Sequence, residues 1–265
     1  MIYLTDIPFN WKTLLIKYNI LTNENIKNDD IIIPMSYNGY IKYNLYKQNI
    51  LHNNLEMIDI LENKVLFAIF MNDNFPEYIP KTIYYSFNNY KYNDTNVNNI
   101  DLIYKPAIGF GGNNISIIEK YSDDMTNCII QQYITFEIYY SGHILVIDGK
   151  IIYKIYFKAR NLNKYYIRRG PIVNYEILYE PDFDDSIFPI LLEKLNLTLI
   201  ICIDFMVKNN KIIIFEINPR FGGSLISNIK LCNRFLHLLL QYKNIDSLLL
   251  KKNNKQLLKK STYKK

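Results

Sequence analysis

Ile203-Asp204-Phe205, followed after a short gap by Phe215-Glu216-Ile217-Asn218-Pro219-Arg220-Phe221-Gly222-Gly223, is the stretch on which the reading of the fold turns. Residues 199–207 and 211–218 are two apolar runs separated by Asn209-Asn210, which reads as a hairpin with a two-residue turn. Side chains alternate along a strand, so Glu216 and Asn218 share one face. Simple alternation puts Ile214 on that face too, with Ile213, Phe215 and Ile217 on the other. Strict symmetry about the turn pairs Asp204 with Phe215, whereas a one-residue bulge or a longer turn pairs it with Glu216. In the second register, two carboxylates and one amide oxygen converge at a strand end. Oxygen donors of this kind suit magnesium, which takes one or two carboxylates and completes its shell with phosphate oxygens and water. Pro219 then ends the strand, and Gly222 and Gly223 let the backbone pass close to a ligand. A lone Glu-x-Asn would more simply face water on an edge strand. The apolar strand around it, the aspartate on the neighbouring strand and the Pro-Arg-Phe-Gly-Gly that follows favour a site.

A second segment points the same way: Leu102-Ile103-Tyr104-Lys105-Pro106-Ala107-Ile108-Gly109-Phe110-Gly111-Gly112-Asn113-Asn114-Ile115. A strand ends near a lysine and enters a glycine-rich loop, and a new strand begins after it. Backbone N–H groups of such a loop can face an anion, and the lysine adds a point charge suited to phosphate. No Gly-Lys-Ser/Thr follows and the next element reads as strand, so this is neither a P-loop nor a dinucleotide fingerprint.

Outward from these two segments, Ile2 to Thr5 and the run Ile31-Ile32-Ile33-Pro34 read as short strands, and residues 8–18 and 37–46 as helices. Residues 55–71 carry apolar side chains at a helical period, with Asn72-Asp73-Asn74 as the stop. From Pro80 the rhythm is that of strands, at 81–86, 100–105, 115–119 and 128–134. Residues 137–156 form a hairpin about Asp148-Gly149, residues 187–195 a helix, and residues 225–242 a closing helix.

Composition excludes several classes. The chain has 265 residues, of which 49% are hydrophobic and 21% charged, so it can bury a full core. Its formal charge of +6 comes from a tail: residues 251–265 hold seven lysines and no acid, leaving 24 basic against 25 acidic side chains elsewhere. A nucleic-acid footprint spread over the body is therefore not expected. The apolar runs are far shorter than the ~20 residues that span a bilayer. Cys128, Cys202 and Cys232, like His52, His143 and His237, lack metal-ligand spacing, and an odd number of scattered cysteines reads as reduced thiols in a cytoplasmic protein. His143 reads as structural.

Taken together, the two segments resemble the ATP-grasp superfamily, in particular carboxylate–amine ligases similar to the large subunit of carbamoyl-phosphate synthase, over roughly residues 31–223. The resemblance implies an ATP-grasp fold, α+β to α/β in class, in which two α+β subdomains clasp a nucleotide. Residues 1–54 would be an abbreviated N-terminal α/β pre-grasp region and 55–130 the lid with its glycine-rich loop. Residues 131–250 would be the C-terminal subdomain with the metal site, and 251–265 the Lys-rich tail. It implies that Lys64 and Lys105 hold nucleotide phosphates beneath Gly109, Gly111 and Gly112. Gln131, Gln132, Tyr133 and Ile134 would form the hinge that reads the adenine edge, with Glu137 on the ribose hydroxyls. Asp204, Glu216 and Asn218 match the magnesium ligands and Arg220 the arginine near the acyl phosphate. Arg160 and Arg168 resemble a basic pair near phosphate or substrate.

The sequence departs from the family pattern at Asn114, which replaces a final glycine of the loop, and at Gln131, which replaces a common hinge acid. The spacing to Glu137 is one residue short, and the stretch between Tyr85 and Ile100 is too short for a lid helix. The implied cofactors are ATP and one or two Mg2+, with Mn2+ able to substitute. The implied partners are a small carboxylate and an amine or other nucleophile. No membrane is implied, nucleic acid enters only through a weak contribution of the tail, and homo-oligomerisation is left open. The activity expected is ligation through an acyl phosphate; the alternative is an ATP-binding module with little or no turnover.

Overall fold

The computed structural model describes residues 2–5, 31–43, 54–94, 100–109, 111–160, 167 and 174–242. The helix expected over 8–18, Arg168 and the Lys-rich tail lie outside them. Strands β1 (Ile2–Thr5) and β2 (Ile31–Pro34) form a parallel pair, and α1 (Tyr37–Tyr43) follows. Helices α2 (Leu55–Glu62) and α3 (Lys64–Asn74) lead through a short 3-10 turn into the first antiparallel sheet. That sheet has the order β4-β3-β7-β5-β6, built from β3 (Thr82–Phe87), β4 (Tyr90–Asn93), β5 (Leu102–Pro106), β6 (Ser116–Ile118) and β7 (Cys128–Gln132).

The second antiparallel sheet has the order β10-β9-β8-β11-β12. Its strands are β8 (Ile138–Ile147), β9 (Lys150–Arg160), β10 (Tyr175–Leu178), β11 (Leu199–Lys208) and β12 (Lys211–Asn218), with α4 (Ile187–Leu195) before β11. A short α5 (Gly223–Ser227) and a helix over residues 229–242, α6, close the described chain.

Local chemistry accounts for most of these boundaries. Asp148-Gly149 and Asn209-Asn210 all have positive φ, the geometry of a type I′ hairpin turn, and Asn196 ends α4 in the left-handed conformation. The single helix expected over 55–71 is two helices, because Asn63 interrupts it. Its backbone is extended, and its side chain accepts hydrogen bonds from the N–H groups of Val65 and Leu66 as the N-cap of α3. Asn228 divides the closing helix in the same way. Two strands escaped the sequence pattern. β4 follows a turn at Asn88, and β10 pairs with β9; both are four residues long, too short to show a period.

The two faces of the second sheet differ in their polar content. On one, Phe205 stacks on Tyr140 at 5.2 Å and meets Phe183, Phe188 and Tyr156, under the apolar side of α4. The core that continues from here includes residues of α1, α2 and α3. The first sheet has a separate small core of Ile83, Tyr84, Leu102, Cys128 and Ile130. The other face of the second sheet carries a buried polar patch among apolar side chains such as Phe157 and Ile200, and the site is there.

Candidate functional site

Strand register assembles the polar face. β11 shifts against β12 between Asp204 and Phe205, so that Asp204 pairs with Glu216 and Phe205 with Ile214. This is the bulged register, and it leaves Phe215 as the extra residue. The bulge also resets the alternation. Ile212, Ile214 and Ile217 are buried together, so Ile214 lies opposite Glu216, against the simple period-2 expectation. Phe215 and Glu216, adjacent in sequence, both line the cleft. Cys202 pairs with Asn218 on one side and His143 on the other, and Asp204 pairs with Glu216 and Ser141. Three strands therefore present two polar rows: Ser141, Asp204 and Glu216 in one, His143, Cys202 and Asn218 in the next.

Asp204 is 1% exposed and accepts a hydrogen bond from Ser141 Oγ at 2.8 Å. Asn218 Nδ2 donates to Glu216 Oε1 at 3.1 Å, and Arg220 Nη2 donates to Asn218 Oδ1 at 2.9 Å. The guanidinium also forms an ion pair with Glu62, and the Tyr40 hydroxyl donates to the Pro219 carbonyl. The turn after β12 is thus tied to α1 and α2. Burial pulls Arg220 down to about 10, still charged at neutral pH. Two carboxylates in register and an amide oxygen two residues on form a donor set that fits a hard divalent cation. Among the described residues no group of three or more His, Cys, Asp or Glu side chains could hold a metal, so two carboxylates and the amide are the donors this face offers.

The cleft runs between the sheets. Lys64, Lys105, Gly111 and Gly112 line it from the first sheet's side, and Phe215 and Glu216 from the second. Gln132, Tyr133 and Ile134 line the connection between the two, with Phe136 and Tyr139 beyond. Phe136, Tyr139 and Phe215 form one aromatic wall: Tyr139 stacks on Phe215 at 6.2 Å, and Phe136 lies 5.8 and 5.6 Å from the two rings. No sequence signal marked this wall, because two of its rings stand at irregular positions, before β8 and at the bulge.

Lys105 is 7% exposed, with Nζ donating to Gln131 Oε1 at 2.9 Å. Burial lowers its pKa to about 8; the Glu216 carboxylate pulls it back up and Lys64 pushes it further down. Gln131 is buried behind the lysine and does not line the cleft. Lys64 Nζ donates to the Gly109 carbonyl at 2.7 Å, and its backbone N–H donates to Ala107 O at 2.8 Å. The start of α3 therefore holds the root of the glycine loop. Gly111, Gly112 and Asn114 all have positive φ, so asparagine adopts the conformation the missing glycine would have had. Glu137 is exposed just before β8, and Arg160 is exposed at the end of β9; neither lines the cleft.

The sequence model of the ATP-grasp domain matches residues 61–224, more than half of the chain and all of the cleft machinery just described. No curated protein matches the sequence. Among solved structures, D-alanine–D-alanine ligase from Bacillus anthracis has a TM-score of 0.55 at 12% identity, with 92% of this chain and 98% of that one covered. The same enzyme complexed with ATP gives 0.54 at 15% identity, with the same coverage. N5-carboxyaminoimidazole synthetase from Staphylococcus aureus complexed with ADP gives 0.55 at 10% identity, covering 86% and 72% of the two chains. At such identities the likeness is one of fold. The chain belongs to the ATP-grasp family.

Proposed function

We propose that the chain is an ATP-dependent ligase that joins a small carboxylate to an amine or other nucleophile. In this reading a carboxylate oxygen attacks the γ-phosphorus, ADP leaves, and the nucleophile then displaces phosphate from the acyl phosphate. The observation that carries the reading is a cleft with two lysines on one wall, a carboxylate on the other and an aromatic wall between polar and apolar ends. Cations for phosphates and rings for a base are what a purine nucleoside triphosphate needs.

The base would lie against Phe136, Tyr139 and Phe215, its edge read by backbone groups of Gln132 to Ile134. Lys105 and Lys64 would hold phosphates, and the N–H groups of Gly111 and Gly112 would close over them. Asp204, Glu216 and Asn218 would hold one or two Mg2+, or Mn2+, which when bound would supply positive charge against the phosphates. Arg220, fixed by Glu62 and Asn218, would face the oxyanion that develops during transfer. Glu137 would serve the ribose hydroxyls and Arg160 the substrate, both from beyond the residues that line the cleft, with Arg168 sharing the role of Arg160. We place the protein in the cytoplasm; its three cysteines form no disulfide, and among the described residues no helix is long and apolar enough to cross a membrane.

A phosphate-release screen over amino acids and small carboxylates tests this. Phosphate should appear only when ATP, Mg2+, the right carboxylate and a nucleophile are all present, and Glu216→Gln should reduce it at least a hundredfold. Release that ignores this substitution refutes the site. Thermal stabilisation by Mg-ATP across the whole screen without turnover would instead mark a binding module.

A further inference from the structure

Behind Asp204 lies a line of buried polar side chains that the proposed reaction does not use. Ser141, His143 and Ser224 are 0%, 0% and 2% exposed. Ser141 and His143 are two residues apart on β8 and lie on one face, opposite Asp204 and Cys202 of β11. Ser224 belongs to α5, directly after Gly222 and Gly223. Ser141 Oγ donates to Asp204 Oδ1 at 2.8 Å, Ser224 Oγ donates to Ser141 Oγ at 3.5 Å, and His143 Nε2 lies 2.8 Å from Ser224 Oγ.

Proton counting gives this line a direction. A carboxylate only accepts, so the one hydroxyl proton of Ser141 goes to Asp204. Ser141 Oγ then accepts from Ser224, whose own proton is thereby committed, so Ser224 Oγ accepts from His143. His143 must carry its proton on Nε2. The Cys202 thiol lies 3.1 Å from Ser141 Oγ and 3.8 Å from Asp204 Oδ1, and its one proton goes to Asp204 or to the hydroxyl that serves it. Every bond points toward Asp204, an arrangement suited to an ionised carboxylate held in one orientation. The line also reaches the turn that carries Arg220. A Cβ added at Gly222 would meet Cys202 Sγ and come within 2.6 Å of His143 Cε1, so the turn packs directly on the imidazole.

We propose that Ser141, Ser224 and His143 are positioning residues: a one-way hydrogen-bond chain that presets Asp204 as a ligand for a divalent cation and couples its orientation to the Arg220 turn. This rests on the reading of Asp204 and Glu216 as cation ligands. Outer hydrogen bonds to a ligating carboxylate typically govern metal affinity tenfold or more.

The test uses the full chain, Mn2+ as the probe and a non-hydrolysable ATP analogue. Mn2+ affinity is read by electron paramagnetic resonance with the analogue at saturation, and analogue affinity without metal by calorimetry. Ser141→Ala should weaken Mn2+ about tenfold while metal-free analogue binding stays put. His143→Leu should weaken it severalfold, and His143→Gln, which can again present an N–H to Ser224, should recover most of that loss. Unchanged Mn2+ affinity in Ser141→Ala, an equal loss of metal and analogue binding, or His143→Gln behaving like His143→Leu each overturn the proposal. Glu216→Gln separates this from the parent reading. If it too leaves Mn2+ binding unchanged, the cation site itself is wrong; if it alone abolishes binding, the site stands and the chain behind it is only structural.

Discussion

The two five-stranded sheets bury opposite charges on very different foundations. In the second sheet, Asp204 sits on a central ten-residue strand between two long neighbours, over an aromatic core and under a covering turn. In the first, Lys105 sits near the end of a five-residue strand, in a sheet whose own core consists of five side chains. Asp204 accepts hydrogen bonds arranged for it, whereas Lys105 is met by a neutral amide, and burial depresses its pKa. The contrast teaches that the acidic half of the cleft is preset by the fold. The basic half carries a burial cost that Glu216 and Gln131 offset only in part and that a polyphosphate would relieve further. Small core, short strands and exposed loop predict that the first sheet is the less stable of the two.

The sharpest way to break that comparison is to damage each core in turn. Phe205→Ala removes a fully buried ring from the second sheet and should cost about 3–5 kcal/mol. Hydrogen exchange should then accelerate across the whole chain. Ile130→Ala, in the core of the first sheet, should cost somewhat less and accelerate exchange in residues 82–132 while β8 and β11 keep their protection. Uniform loss of protection in Ile130→Ala would show that the two sheets unfold as one body.

What could be read from sequence follows the same divide. The hairpin turns at Asp148-Gly149 and Asn209-Asn210 announce themselves, because their residue types tolerate positive φ and are flanked by long apolar runs. The pairing of Asp204 with Glu216 could be posed as one of two registers but not decided. A bulge is a compromise between twist and packing across strands, with no residue signature of its own. The same bulge puts Ile214 opposite Glu216, against simple alternation, and turns Phe215 into the cleft. Lys105 and the glycine loop were legible from local chemistry. The Glu62–Arg220 pair was not, since it joins positions far apart in the chain. Asn63 was hidden by periodicity: the apolar spacing continues through it, and only its capping hydrogen bonds reveal the break.

Two glycines sharpen the comparison at smaller scale. Gly222→Ala pushes a methyl into Cys202 and His143, neither of which can retreat in a fully packed face. It should cost about 1–3 kcal/mol of stability and weaken cation binding together. A Cβ at Gly111 meets nothing within 4 Å, so its penalty is confined to a positive φ in an exposed loop. Gly111→Ala should cost about 1 kcal/mol through its positive φ alone, lower the melting temperature less than Gly222→Ala does, and weaken nucleotide binding without any steric clash. Equal melting temperatures for the two variants, measured by calorimetry, would remove the distinction between preset and adaptable halves.

The smallest effect is a fraction of a proton, and it bears on Lys105 directly. A pKa lowered in the folded state, from 10.5 to about 8, means that the folded chain binds fewer protons than the unfolded one between those values. Stability should therefore rise with pH across that window, as the buried ammonium loses its charge. Nucleotide binding works in the opposite sense. Phosphates beside Lys105 favour the charged form and return its pKa toward the ordinary value. At pH 8.5 most free Lys105 is neutral, so binding of Mg-ATP should take up part of a proton, and apparent affinity should decline as pH rises above 8. At pH 6.5 the lysine is already charged and uptake from this source should vanish. Calorimetry in two buffers of different ionisation enthalpy measures the difference, with Lys105→Gln as the control that abolishes it. Equal uptake in the control would assign the proton elsewhere, and the basic half of the cleft would then be as preset as the acidic half.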